Sequence, residues 1–205
     1  MKVAVASLVI PNLVMDGIQL RRQGPLGDTP RRLAPLLIFT MLGTVIGTKL
    51  LVALSGRVVT LILGAFVVLF VVLDLMRFSP RVDRRWERLL AAPVGLIAGI
   101  MGGITSAPGT ALAVYFIALG MDKRAFVRSV AFTFLIVKAV QLGALAWYGL
   151  LSGGIVLGSL GLTAAALAGF GLGLRLQDRL DQRAFNRAVL VVLAALGGWL
   201  VVRAL

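Results

Sequence analysis

The chain has no cysteine and no histidine among its 205 residues. It therefore forms no disulfide, offers no thiolate nucleophile and lacks the commonest general base. Zinc sites built from these two residue types are excluded as well. Acidic residues number only 8, and they form no paired carboxylate constellation that could replace histidine in catalysis. These absences argue against an enzyme, and the sequence predicts neither a metal nor a cofactor.

Charge is also scarce, because 14% of the residues are charged and 60% are hydrophobic. A soluble domain of this length needs far more polar surface, so the composition predicts an integral membrane protein in a lipid bilayer. The 21 basic residues give a net charge of +13, and they cluster in short segments between apolar runs. This pattern is typical of the positive-inside bias of membrane proteins and predicts no nucleic-acid partner.

Seven apolar segments are candidates for the membrane, where a helical crossing takes roughly 20 residues. They are Val3–Leu20, Leu33–Leu54, Val58–Met76, Leu89–Met121, Val127–Tyr148, Gly154–Leu174 and Ala184–Leu205. We therefore expect an all-α integral membrane protein without a soluble domain.

Leu89–Met121 is uncharged and has an awkward length. One helix of this length would measure about 50 Å, against about 30 Å of hydrocarbon, while two full crossings need about 40 residues and a turn. Its centre reads MGGITSAPG, and proline and glycine destabilise a helix. We therefore predict a broken, re-entrant helix hairpin whose interrupted backbone lies against protein or a cavity.

The hairpin also accounts for the basic segments. When both of its ends are cytoplasmic, Arg21–Arg32, Arg77–Arg88, Asp122–Arg128 and Arg175–Arg187 all lie in the cytoplasm. A single ordinary crossing would place the last two outside, which fits the positive-inside rule less well. Two short full crossings predict the same sides and remain an alternative.

An internal match suggests a repeat. Leu42–Leu54 aligns with Ala168–Leu180 at a constant offset of 126 residues, so that Gly43 corresponds to Gly169. Chance similarity between glycine-rich helices is the alternative. The predicted topology runs the two copies in opposite directions, and inverted repeats are a recurring plan of secondary transporters.

This repeat divides the chain into residues 1–77, a cytoplasmic basic loop at 78–88, and a second repeat at 89–205 that opens with the broken hairpin. The hairpin has no counterpart at the same offset, because the counterpart would precede Met1. We therefore expect the first repeat to be incomplete at its N-terminal end.

Two stretches, GLIAGIMGGITSAPGTALAVYFIALGMDKRAFVRSVAFTFLIVKAVQLG and GLGLRLQDRLDQRAFNRAVLVVLAALGG, resemble the TauE/SafE family of membrane transporters, also called the sulfite exporter or TSUP family. The resemblance implies a multi-pass carrier of the bacterial inner membrane for small anions such as sulfite, sulfoacetate and other sulfonates. It also implies two homologous halves, each with a glycine-rich motif. By this comparison we expect the first helix and the first motif to be missing here, so a non-transporting assembly subunit or a truncated remnant remains an alternative. A homo-oligomer is left open.

The predicted break offers what an anion site needs. A returning half-helix that begins near Ser106 would present unpaired N–H groups and a positive dipole end. Hydroxyl groups and glycines that permit close approach of the backbone surround it. The candidate substrate-binding residues are Gly102, Gly103, Thr105, Ser106, Pro108, Gly109 and Thr110. A kink that only packs against neighbouring helices is the alternative.

Lys138 lies near the centre of an apolar segment, with Gln141 three residues further on. A cation at this depth is costly and usually faces a cavity or a partner, so we predict that both residues bind the anionic substrate. Pairing of Lys138 with Asp16, or snorkelling, is the alternative. Asn12 is four residues before Asp16 and is predicted to form the opposite wall of the site. Asp16 either pairs with Lys138 or carries a coupling proton during alternating access.

Overall fold

The computed structural model describes residues 2–59, 62, 82, 84–106 and 109–181, together with positions 184, 187, 188, 191 and 195. Within them the secondary structure is helical, without strands. The six helices with defined bounds are α1 (Lys2–Arg22), α2 (Thr29–Ala53), α3 (Arg84–Thr105), α4 (Gly109–Ala118), α5 (Lys123–Trp147) and α6 (Gly153–Arg179). All except α4 are long and apolar enough to cross a membrane. The predicted all-α membrane class is confirmed, while most of Ala184–Leu205 and most of Val58–Met76 lie outside the described residues.

The helices extend further into the basic segments than hydropathy predicts. Helix α3 begins at Arg84, five residues before the predicted span, α5 begins at Lys123, and α6 ends at Arg179. Arginine and lysine are good helix formers whose long side chains reach polar surroundings while the backbone stays helical. The Asp122 carboxylate accepts a hydrogen bond of 2.7 Å from the Ala125 N–H and so caps the start of α5. The predicted helix ends were therefore wrong by up to five residues at these positions.

Helices α2 and α3 run parallel and pack backbone against backbone. A methyl group added to any of five glycines would come within 3.0 Å of backbone atoms of the facing helix. Such close approach is typical of small residues at helix interfaces in membranes. The glycines are Gly43 and Gly47 on α2, and Gly95, Gly99 and Gly103 on α3.

Helix α3 breaks and the chain turns back. Ser106 follows the helix with a φ of 63°, in the left-handed region that is uncommon for residues other than glycine. Helix α4 then returns along α3, and the Val82 N–H donates to the Ala118 carbonyl at 2.9 Å. At the same end the Tyr115 hydroxyl donates to the Glu87 carbonyl at 2.8 Å. The structure therefore contains the broken hairpin predicted for Leu89–Met121.

Helix α1 packs against α5 and α6. It runs antiparallel to α5, since Gly17 lies beside Leu135 and the Arg128 guanidinium donates to the Pro25 carbonyl at 3.1 Å. It runs parallel to α6, to which it is joined by an ion pair of 2.6 Å between Arg22 and Asp178. Helix α1 runs antiparallel to α2, since the Lys2 ammonium donates to the Val52 carbonyl. Helices α2 and α6 therefore run in opposite directions, as an inverted repeat requires, although the repeat itself stays a prediction.

The basic segments gather at one end of the bundle, which we call the basic end. It comprises the ends of α1 and α6 and the starts of α2, α3 and α5. The Lys123 ammonium ties α5 to α6 by donating to the carbonyls of Gln177 and Leu180. The bidentate pair of Arg32 and Glu87, at 2.7 and 3.1 Å, ties α2 to α3.

Cysteine labelling tests this arrangement without background, because the chain has no cysteine of its own. In oriented membrane vesicles we expect a maleimide that cannot cross the bilayer to label Arg88→Cys and Arg124→Cys from the same side. Ser152→Cys, between α5 and α6, should react only from the opposite side, since one membrane crossing separates it from Arg124. Labelling of Arg88→Cys and Arg124→Cys from opposite sides would contradict the hairpin.

Candidate functional site

A buried lysine lies beside the break in the hairpin. The side chain of Lys138 extends from α5, and the residue is only 1% exposed. Its ammonium donates to the carbonyl of Ser106 at 2.7 Å and to Oε1 of Gln141 at 3.2 Å. Because an ammonium has three N–H donors, one donor remains beyond these two bonds. Lys138 is therefore in direct contact with the interrupted segment.

Gln141 closes the end of α3. Its Nε2 donates to the carbonyls of Gly102 and Gly103, each at 3.1 Å. Its Oε1 accepts from Lys138 and from the hydroxyl of Ser106, the latter at 3.3 Å. These four bonds use the two donors and two lone pairs of the amide. Gln141 thus gives the Gly103 carbonyl a partner of the kind that the last turn of a helix lacks, and it adds a second bond to the Gly102 carbonyl, which also accepts from the Ser106 N–H at 2.9 Å.

The electrostatics of the break differ from the sequence-based expectation in one respect. The sequence predicted an anion at the positive start of the returning helix, whereas the structure also shows a cation at the carbonyl end of α3. The negative end of a helix dipole favours a nearby cation, so the contact between Lys138 and Ser106 stabilises the interrupted helix. The break therefore carries the formal positive charge of Lys138 as well as the partial positive charge at the N-terminal end of α4.

Asp16 does not neutralise this charge by direct contact. The two described side chains are close enough for the Asp16 carboxylate and the Lys138 ammonium to attract each other, but they form no ion pair. The buried Oδ2 of Asp16 has no hydrogen-bond partner, which is costly for a carboxylate. Asn12 is half-buried one turn earlier on α1.

The other predicted site residues face different surroundings. The hydroxyl of Thr105 donates to the Met101 carbonyl of its own helix at 2.8 Å. Gly103 lies against the backbone of α2, and a methyl group on Gly109 would lie 3.2 Å from the ring of Phe134. Pro108 and the side chain of Thr110 lie outside the described part of the chain. The site residues that hydrogen bonds bring together are Gly102, Gly103, Ser106, Lys138 and Gln141.

Two buried threonines were not predicted from the sequence. The hydroxyls of Thr48 on α2 and Thr133 on α5 are buried without a hydrogen-bond partner. Thr44, one turn before Thr48, instead donates to the carbonyl of Thr40 at 2.8 Å. The spacing of Thr40, Thr44 and Thr48 on an apolar helix marks a polar face, but only the structure distinguishes a satisfied hydroxyl from an unsatisfied one.

Comparison with known families agrees with this architecture. A family model described as sulfite exporter TauE/SafE matches residues 1–200. Searches of curated proteins and of solved structures found no match. The family match covers nearly the whole chain, including the broken hairpin and Lys138, and it indicates a membrane transporter of the anion-exporter type. The chain therefore belongs to the sulfite exporter TauE/SafE family.

Proposed function

We propose that this protein carries a small oxyanion, sulfite or an organosulfonate, across the bacterial inner membrane by alternating access. The observation that carries the proposal is the Lys138 ammonium, which is 1% exposed, lies within a membrane helix and has no carboxylate in contact among the described residues. Charged groups inside a membrane are costly and usually mark a substrate or ion pathway. A transported anion would supply the missing negative charge.

The groups around the break suit an oxyanion. Sulfite and sulfonates present several oxygens that accept hydrogen bonds, and bonds from a charged donor are the strongest. Within the described part of this region, the remaining N–H of Lys138 and the first backbone N–H groups of α4 are candidate donors, while the hydroxyl of Ser106 would have to leave Gln141 to join them. Broken helices that aim half-helix ends at a substrate are a recurring design in secondary transporters.

Asp16 is our proposed coupling residue. Its buried Oδ2 lacks a hydrogen-bond partner, so a proton would relieve the unsatisfied oxygen. The attraction between Asp16 and Lys138 links the two groups, because an anion that binds Lys138 competes with the carboxylate for the positive charge. Asp16 would accordingly bind a proton more readily when the substrate is present.

Transport by the purified protein tests the proposal. We expect proteoliposomes to take up radiolabelled sulfite, under argon to prevent oxidation, with saturable kinetics. An excess of unlabelled organosulfonate should compete, whereas choline, a cation, should not. Uptake no faster than in protein-free liposomes, or equal competition by choline, would contradict an oxyanion carrier.

A further inference from the structure

Two cavities adjoin each other at the basic end and share Asp28 and Arg32 in their walls. Their volumes are about 920 Å³ and about 280 Å³. We call them together the arginine chamber. Among the described residues, its charged lining comprises Asp28, Arg31, Arg32, Glu87, Arg88 and Arg128.

The described lining of the chamber has an excess of positive charge. Arg32 and Glu87 neutralise each other in a bidentate pair, which leaves Asp28 against three arginines. Arg31 and Arg88 are exposed and have no ion-pair partner within the described residues. The buried Nε of Arg128 has no hydrogen-bond partner. Guanidinium groups with unused donors match the planar geometry of oxyanion oxygens.

A polar side chain lies between the chamber and Lys138. Ser129 of α5 lines the smaller cavity, and Lys138 lies nine residues, or roughly 13 Å, further along the same helix. Thr133 lies between them, is fully buried, and its hydroxyl has no hydrogen-bond partner. The neighbouring Val130 and Phe134 pack into an apolar cluster. An unpaired hydroxyl in such surroundings is destabilising, and a passing anion would give it an acceptor.

We propose that the arginine chamber collects the oxyanion at the basic end and that Thr133 is its next contact on the way to Lys138. This inference rests on the proposed transport function and adds an access route to it. Positive charge in a recess raises the local concentration of anions and the rate of their association. The chamber therefore acts when the anion is dilute, whereas Lys138 acts at every concentration.

The hydroxyl of Thr133 is tested by Thr133→Val, which removes it at nearly constant volume. We expect sulfite uptake at low concentration to fall about fivefold, a change on the scale of one lost hydrogen bond. The unfolding temperature should stay equal or rise, because the hydroxyl has no partner in the folded protein. The matched control is Thr44→Val on α2, whose hydroxyl bonds to its own helix and whose uptake should stay unchanged. Unchanged uptake by Thr133→Val would overturn this contact.

The arginines are tested by the double variant Arg31→Gln/Arg88→Gln. We expect uptake from dilute sulfite to fall roughly fivefold to tenfold and to recover at saturating sulfite, because electrostatic steering affects association. The dependence of uptake on ionic strength should flatten as well. Arg21→Gln/Arg124→Gln removes the same charge from exposed positions at the basic end outside the chamber and should have little effect. An equal loss in both double variants would overturn the role of the chamber.

Lipid headgroups carry phosphate oxygens that guanidinium groups can also bind. Sulfite uptake is therefore measured in liposomes with and without anionic lipid. An effect of Arg31→Gln/Arg88→Gln that is absent in phosphatidylcholine liposomes would assign the chamber to headgroups and overturn the proposal. Failure of the proposed function looks different, because the wild-type protein itself would then not transport sulfite. If the wild-type protein transports sulfite, and Thr133→Val and Arg31→Gln/Arg88→Gln transport it with unaltered kinetics, only the access route is rejected.

Discussion

Replacing Lys138 by methionine is expected to lower sulfite uptake by roughly 100-fold. A hydrogen bond from a charged group is worth about 1.5–3 kcal/mol, and each 1.36 kcal/mol changes a rate tenfold. Because Lys138 is the buried cation at the break, the variant loses both the charge and the remaining donor that would bind the anion. Initial rates in proteoliposomes, at equal amounts of reconstituted protein, measure the effect.

The same variant should fold. Methionine is nearly as long as lysine and suits an apolar helix. The variant loses the bond from Lys138 to the Ser106 carbonyl, but it also removes a buried charge that has no carboxylate in contact among the described residues, and we expect this relief to offset the loss. Gln141 still holds the carbonyls of Gly102 and Gly103, so α3 keeps its closing bonds. We therefore expect an unfolding temperature equal to or above that of the wild type.

Lys49→Met is the matched control, because Lys49 is an exposed lysine on a membrane helix. Its uptake should stay within about twofold of the wild type, as is usual for surface substitutions. Wild-type uptake by Lys138→Met would instead make Lys138 only a cap for α3. A protein that unfolds after this replacement would likewise point to a structural role.

The membrane fold could be predicted from the sequence because its causes are local. Apolar runs of membrane length, basic segments between them, and a run too long for one crossing but interrupted by glycine and proline are all visible in the residues themselves. The ends of the helices were less accurate, since Arg84 and Lys123 are helical despite their charge. Hydropathy measures where a segment prefers to lie, whereas helix formation depends on backbone propensity and capping.

The sequence identified polar residues at the break but not the hydrogen bonds between them, and their role as a binding site stays a prediction. Lys138 and Ser106 were both identified because polar groups are rare in apolar helices, and the structure places them in contact. Their bond runs to the carbonyl of Ser106, which depends on the turn at that residue and cannot be read from the side chain. Nor could the pair of Arg32 and Glu87 be predicted, because α2 and α3 must first pack in one particular register.

The close packing of α2 against α3 makes Gly43→Val the substitution with the largest expected effect on stability. Gly43 on α2 faces the backbone of α3, where an added methyl group would lie 2.9 Å from the Ile100 nitrogen and 3.1 Å from the Gly99 Cα. A helix backbone cannot yield as a flexible side chain can, so α2 and α3 must separate. Overpacking a core costs about 1–3 kcal/mol even where side chains can adjust. We expect a loss of at least about 3 kcal/mol, which many proteins do not survive as a folded species.

The predicted repeat provides the matched control, since Gly169 on α6 corresponds to Gly43 at the offset of 126 residues. A methyl group on Gly169 meets nothing within 4 Å. Both variants add the same β-branched residue to a glycine-rich helix, so they share the change in helix propensity and differ in packing. Size-exclusion profiles and thermal unfolding in detergent should show Gly43→Val as aggregated or strongly destabilised and Gly169→Val as close to the wild type. Equal losses would contradict the packing argument for Gly43, because a methyl group on Gly169 meets no atom that could account for the loss.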